Sequence, residues 1–128
     1  NSDIKELVSG MKKKMKESNG VGLAANQVGI DMQIFVIEPK LAEEFKVPDA
    51  YINPEVTDYS RDLGVMEEGC LSLPDQWMDI KRSKKIQIKA LDMDGKKVKF
   101  KAKGFLARVL QHEYDHLRGI LIRDRAEK

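Results

Sequence analysis

A chain of 128 residues fits one domain, and its 41% hydrophobic and 34% charged residues exclude a disordered or membrane-embedded class. No apolar run approaches the length of a membrane span. The 23 basic side chains exceed the 21 acidic ones by two, and the lysines stand between acidic and apolar positions, so specific nucleic-acid binding is not expected.

From Asp3, an N-cap with Glu6 three positions on, Ile4, Leu7, Val8, Met11 and Met15 recur at helical spacing until Asn19 and Gly20. Met32 to Glu38 alternates as a half-buried strand and ends at Pro39, and another short extended stretch surrounds Tyr51 and Ile52. Lys85 to Leu91 and Lys96 to Ala102 alternate on either side of the turn residues Asp92 to Gly95, which predicts a hairpin with one wet face. Phe105 to Leu117 returns to helical period and stops before Gly119, and Ile120 to Ile122 completes a last short strand. Strands cluster before one central helix, so we expect an α+β fold with antiparallel sheets packed around it. The first ten residues lack the order of a secretory signal, and the single Cys70 cannot build a disulfide framework; a reducing cytoplasm is the simplest compartment. The chain starts without Met, as a processed protein or part of a longer one would.

His112-Glu113-Tyr114-Asp115-His116 carries the sharpest chemistry. Residues four apart on a helix lie about 40° apart around its axis, so both imidazoles leave one face and can share a metal, with Glu113 beside them to take a proton from an activated water. A hydrolytic metal needs a third protein ligand and an open position. No third histidine exists; the only thiol, Cys70, stands in the glycine-flanked segment Glu67-Glu68-Gly69-Cys70-Leu71-Ser72 and is the candidate. A lone cysteine is by default an inert buried residue, but a two-histidine helix lacking a third ligand reverses that default.

The third segment, Gly20-Val21-Gly22-Leu23-Ala24-Ala25-Asn26-Gln27, imitates a dinucleotide fingerprint. It follows an amphipathic helix rather than a buried strand, which is the wrong setting for that role. The bland alternative is a close-packing loop. The functional one is a backbone that approaches a substrate, with Gln27 aimed at the reacting centre.

Together the three segments resemble the peptide deformylase family, whose motifs are a Gly-x-Gly-Leu-Ala-Ala-x-Gln loop, a Glu-Gly-Cys-Leu-Ser segment and a His-Glu-x-x-Asp-His helix, here in the family's order from about Asp3 to Ile122. The resemblance implies a metal-dependent hydrolase that removes the formyl group from the N-terminal methionine of newly made proteins. It implies that Cys70, His112 and His116 hold one divalent ion, natively Fe(II), with Zn, Ni or Co as other occupants. Glu113 would be the general base and acid, and the Gln27 side chain and Leu71 backbone N–H would stabilise the oxyanion. The backbones of Val21 and Gly69, with Gly22 in the same loop, would hold an extended peptide. The implied partners are formyl-methionyl nascent peptides, with a transient ribosome contact, for a monomer of one catalytic domain over 1–128. Relative to the family pattern, the chain is short at both ends.

Helix geometry adds an apolar stripe continuous with the metal face. Phe105 and Val109 both fall within about 40° of the His116 direction. Phe105 is expected to be ordinary core, and Val109, one turn before His112, to touch a methionine side chain of the substrate. Trp77, the sole tryptophan, is assigned to the cleft rim or to packing. Two other readings fit the motif less well: an endopeptidase, which leaves the upstream loop unexplained, and a non-catalytic metal-binding module, against which Glu113 and Gln27 argue.

Overall fold

The computed structural model describes residues 2–70 and 73–120, with side chains for 3–69 and 77–120. Helix α1 (Ser2–Glu17) ends where Asn19 adopts φ 56° and the Gly20 amide returns to the Met15 carbonyl at 2.9 Å. Strand β1 (Gly22–Ala24) leads into a 3-10 turn (Ala25–Val28), then β2 (Ile34–Ile37). A helix missed by the sequence reading follows. It is α2 (Pro39–Phe45), with Pro39 in its first turn and the Glu38 carboxylate accepting from the Leu41 amide at 3.0 Å.

Strands β3 (Ala50–Tyr59), β4 (Leu63–Cys70), β5 (Leu73–Ser83), β6 (Lys85–Leu91) and β7 (Lys97–Lys103) precede α3 (Gly104–Leu117). The larger sheet runs β1-β2-β3-β6-β7 and is antiparallel throughout; β4 and β5 form a separate antiparallel pair. An α+β architecture with antiparallel sheets is therefore observed. A last strand at Ile120 to Ile122 falls largely outside the described residues.

The side-chain period of two assigns the layers. On β2, Phe35 and Ile37 join Ile86, Ile88, Leu106, Ala107 and Leu110 under α3, whereas Ile34 and Val36 join Val8, Met11 and Met15 under α1. β2 is thus buried on both faces rather than half-buried as expected, because a helix covers each side of it. α3 lies on one face of the sheet. On the opposite face α1 covers the β1–β2 end, while alternate residues of β6 and β7 meet solvent.

Nine residues of α3 are buried, including the charged Arg108, Glu113 and Asp115, so this helix is the centre of the molecule. Phe105 is a correction: it is 46% exposed, since it occupies the first turn of α3, before the continuously buried run from Leu106 to Gln111. Val109, at 4%, lies in the core under the helix.

Candidate metal centre and active site

Both histidines sit in the last turns of α3 and turn the same way. His112 Nε2 and His116 Nε2 approach to 3.1 Å, with ring centroids 4.8 Å apart. The Nδ1 of His112 faces Glu68 Oε1 at 2.9 Å. To donate to a carboxylate, Nδ1 must carry the proton, which leaves a lone pair on Nε2. Two ring nitrogens this close require a proton or a cation between them. A tetrahedral ion bound at about 2.0 to 2.1 Å sets two nitrogen ligands about 3.3 Å apart, so the pair fits a shared metal. The side chain of Cys70 lies outside the described residues, but its backbone ends β4 two residues beyond Glu68. The Leu71 amide also lies outside them.

The glycine loop meets the helix directly. At Gly22 a Cβ would stand 2.6 Å from Glu113 Oε2 and 2.8 Å from its Cγ, so the absence of a side chain is what admits the carboxylate. Glu113 is 3% exposed. In the next turn, Gln27 Oε1 accepts from the Ala24 amide at 2.9 Å, and the Asn26 side-chain amide donates to the His116 carbonyl. The Gln27 oxygen is thereby engaged with the loop, and its donors lie on the opposite NH2 end of the amide. Val21, 45% exposed, uses its carbonyl to accept from the Glu38 amide at 2.9 Å. Gly69 has Trp77 laid over it, where a Cβ would meet the ring at 2.9 Å; Trp77 itself is 65% exposed. The structure therefore brings Gly22 against Glu113 and His112 against His116, with Asn26, the neighbour of Gln27, tied to the end of α3.

A buried charged network supports this arrangement, and the sequence reading missed it. Arg82 binds Glu68 through Nε at 2.6 Å and a second nitrogen at 2.9 Å, and reaches Asp115 Oδ2 at 2.8 Å. Arg108 also donates to Glu68, and to the Gly64 carbonyl at 2.8 Å. Burial disfavours the charged form of Glu68, but hydrogen bonds from His112 and Arg82, with the Arg82 charge, outweigh it and hold the carboxyl at about 2. Arg82 in turn stays charged, its pKa raised by Glu68 and Asp115 against the cost of burial. The sequence signal was Arg108, a charge inserted between Leu106-Ala107 and Val109-Leu110.

Gln111, immediately before His112, clamps α3 to the β5–β6 junction. Its side-chain amide donates to the Ser83 carbonyl at 2.8 Å while its oxygen accepts from the Ser83 amide at 3.2 Å.

The family model described as polypeptide deformylase matches residues 1–128. The chain is 49% identical to peptide deformylase 1 of Clostridium perfringens over 97% of its own length and 82% of the relative's. It is 49% identical to peptide deformylase of Dictyoglomus turgidum, over 96% and 76%. Among solved structures it is similar to peptide deformylase from Thermotoga maritima, with a TM-score of 0.91 at 41% identity, covering 100% of this chain and 84% of that one. A Met-Ala-Ser-bound peptide deformylase from Acinetobacter baumannii superposes with a TM-score of 0.87 at 34% identity, over 98% and 82%.

Proposed function

This chain belongs to the polypeptide deformylase family, and from that premise we propose how its residues divide the work. The reaction is hydrolysis of the N-formyl group from an N-terminal formyl-methionine, and the family uses a catalytic metal ion. His112 and His116 would hold that ion through Nε2, with Cys70 as the third ligand. Fe(II) is the native occupant in this reading, and Zn, Ni or Co can replace it, since one thiolate and two imidazoles suit several metals. When bound, the ion supplies Lewis acidity that polarises the formyl carbonyl and acidifies a water.

Glu113 takes the proton of the attacking water and returns it to the leaving amine. The Gln27 NH2 group, aimed by the Oε1 bond to Ala24, and the Leu71 N–H stabilise the developing oxyanion. The backbones of Val21, Gly22 and Gly69 align the peptide in extended form. Val109, buried one turn from His112, forms the floor against which the methionine side chain rests. We assign the substrate as formyl-methionyl nascent peptides, met by a monomeric catalytic domain in the cytoplasm, in transient contact with the ribosome. No described helix is long and apolar enough to cross a membrane.

The observation that carries this reading is the 3.1 Å approach of the two Nε2 atoms, with Glu68 on the far side of one ring and Gly22 against Glu113. The test measures formate release and metal content on one sample. Burying a methionine side chain contributes roughly 1.5 to 3 kcal/mol, so formyl-Met-Ala-Ser should exceed formyl-Gly-Ala-Ser by about 10- to 150-fold in kcat/KM. Acetyl-Met-Ala-Ser should react poorly, because its methyl group crowds the attacking water. Internal peptide cleavage without formate would establish the endopeptidase reading instead.

Gly22→Ala provides a second check. The added methyl must displace the Glu113 carboxylate, and a misplacement of about 1 Å is enough for about a 10²-fold loss of turnover. Metal content should stay at one per chain. Undiminished turnover in the folded variant would show that the carboxylate's position beside Gly22 is immaterial.

A further inference from the structure

Residues 84 to 103 hold eight lysines and two aspartates, so this hairpin segment carries +6 while the whole chain nets +2 and the remainder is −4. Along the sequence these lysines alternate with apolar residues. In the fold the alternation sorts them onto one side: Ile86, Ile88, Ala90 and Ala102 enter the core beneath α3, and Lys85, Lys89, Lys97, Lys99, Lys101 and Lys103 project from the opposite, exposed face. Lys97 to Lys103 spans about 20 Å at a spacing of about 6.7 Å.

Edge-strand lysines commonly serve to prevent strand addition, and β7 is an edge among the described strands. That role does not account for β6. There Lys85 stands directly opposite Lys103 and Lys89 opposite Lys99, and like charges across a ladder destabilise it. Glu55 relieves Lys89 at 3.5 Å, whereas among the described residues no carboxylate forms an ion pair with Lys85, Lys97, Lys99, Lys101 or Lys103. Beside them runs a groove of about 360 Å³ lined by Lys85, Lys101, Lys103, Ser60 and Gln87, with Asp58 as its one carboxylate. The fold thus accepts a self-repelling surface that a linear polyanion would neutralise.

We infer that the outer face of β6 and β7 docks the phosphate backbone of double-stranded RNA. This sheet is backed by α3 and cannot enter a deep groove as an isolated ribbon can; it can only lie across a backbone, which suits the wide, shallow minor groove of an A-form helix. The choice of RNA over DNA also rests on the deformylase reading, because nascent chains are made on RNA. His112 and His116 project from α3, on the other side of the sheet, so docking leaves the catalytic cleft open.

The test uses the metal-loaded enzyme and a labelled RNA duplex of about 20 base pairs, followed by fluorescence anisotropy. With about five lysine–phosphate contacts, affinity should fall by about 10²- to 10³-fold between about 50 and about 200 mM salt. The triple variant Lys97→Glu, Lys99→Glu, Lys101→Glu should bind about 100-fold more weakly or not at all, with formate release from formyl-Met-Ala-Ser unchanged. An α1 variant, Lys5→Glu, Lys13→Glu, Lys16→Glu, changes net charge equally and should lose less than a tenth as much. Should the β7 variant fold poorly, the corresponding Lys→Gln triple carries the same comparison. No binding by the wild type at low salt, or equal losses in the β7 and α1 variants, would overturn the inference. So would equal binding to DNA of the same sequence or to phosphatidylserine vesicles. Absence of formate release would overturn the deformylase reading and leave the binding result to be judged separately.

Discussion

Glu113→Ala should retain its metal while losing about 10² to 10⁴ in turnover, the scale expected for a positioned acid and base. The geometry separates the two properties. The ion is assigned to His112 and His116, whose Nε2 atoms already converge, whereas the Glu113 carboxylate is placed by Gly22 on β1. Removing the carboxylate therefore leaves the ligands in place and deletes the proton acceptor. Formate release under saturating formyl-Met-Ala-Ser, with metal quantified on the same sample, makes the comparison. Near-normal turnover in a metal-loaded variant would strip Glu113 of its assigned role, and loss of metal would show that it also helps to form the ligand cage.

Arg82→Ala should cost about 3 to 5 kcal/mol of folding stability, because it removes the guanidinium shared by two buried carboxylates, Glu68 and Asp115, and leaves Glu68 to Arg108 and His112 alone. The exposed pair between Lys89 and Glu55 is the natural control, and Lys89→Ala should change stability by less than about 1 kcal/mol. A second effect of Arg82→Ala reaches the metal. Glu68 fixes the His112 tautomer, and loosening such a partner commonly weakens metal binding by about 10- to 100-fold. The pH dependence has a definite sign. The folded Glu68 pKa of about 2 lies below its ordinary 4.5, so its contribution is complete above that ordinary value and is lost as pH falls from there through 2. Without Arg82 the folded pKa rises, and the stability gained between pH 2 and 5 should shrink. Urea melts across that range would show it, and an unchanged acid limb would mean that Arg82 does not hold Glu68 ionised.

Elements whose core is built from one apolar face were readable in the sequence. The 86-88-90 alternation on β6, the stripe of Val8, Met11 and Met15 on α1, and the run beginning at Leu106 each follow a local period, and the hairpin and both long helices appear where that period placed them. The β4–β5 pair was not readable, because its buried side includes Glu68 and Arg82. Charged residues read as solvent-facing until their partners are known, and the Asp115 and Arg108 partners come from a helix 33 and 40 positions away in sequence respectively. α2 was hidden for a different reason: Pro39 reads equally as a strand stop and as the first position of a helix. For the site, the spacing of His112 and His116 was sufficient to predict their convergence. Nothing in a one-dimensional pattern could show that Gly22 is small because Glu113 occupies the space a side chain would fill.

The Gln111 clamp bears on the mechanics of the active helix. Hydrophobic packing under α3 resists separation from the sheet, but apolar contacts are non-directional and would tolerate a small roll about the helix axis. Side-chain tips lie about 6 Å from that axis, so a roll of about 10° would carry the imidazoles sideways by about 1 Å. Two hydrogen bonds from one planar amide to Ser83, made one residue before His112, oppose that rotation. Gln111 thereby joins the Arg82–Asp115 and Arg108–Glu68 bonds in fixing the azimuth of the helix, which non-directional packing leaves loose and the chemistry needs held.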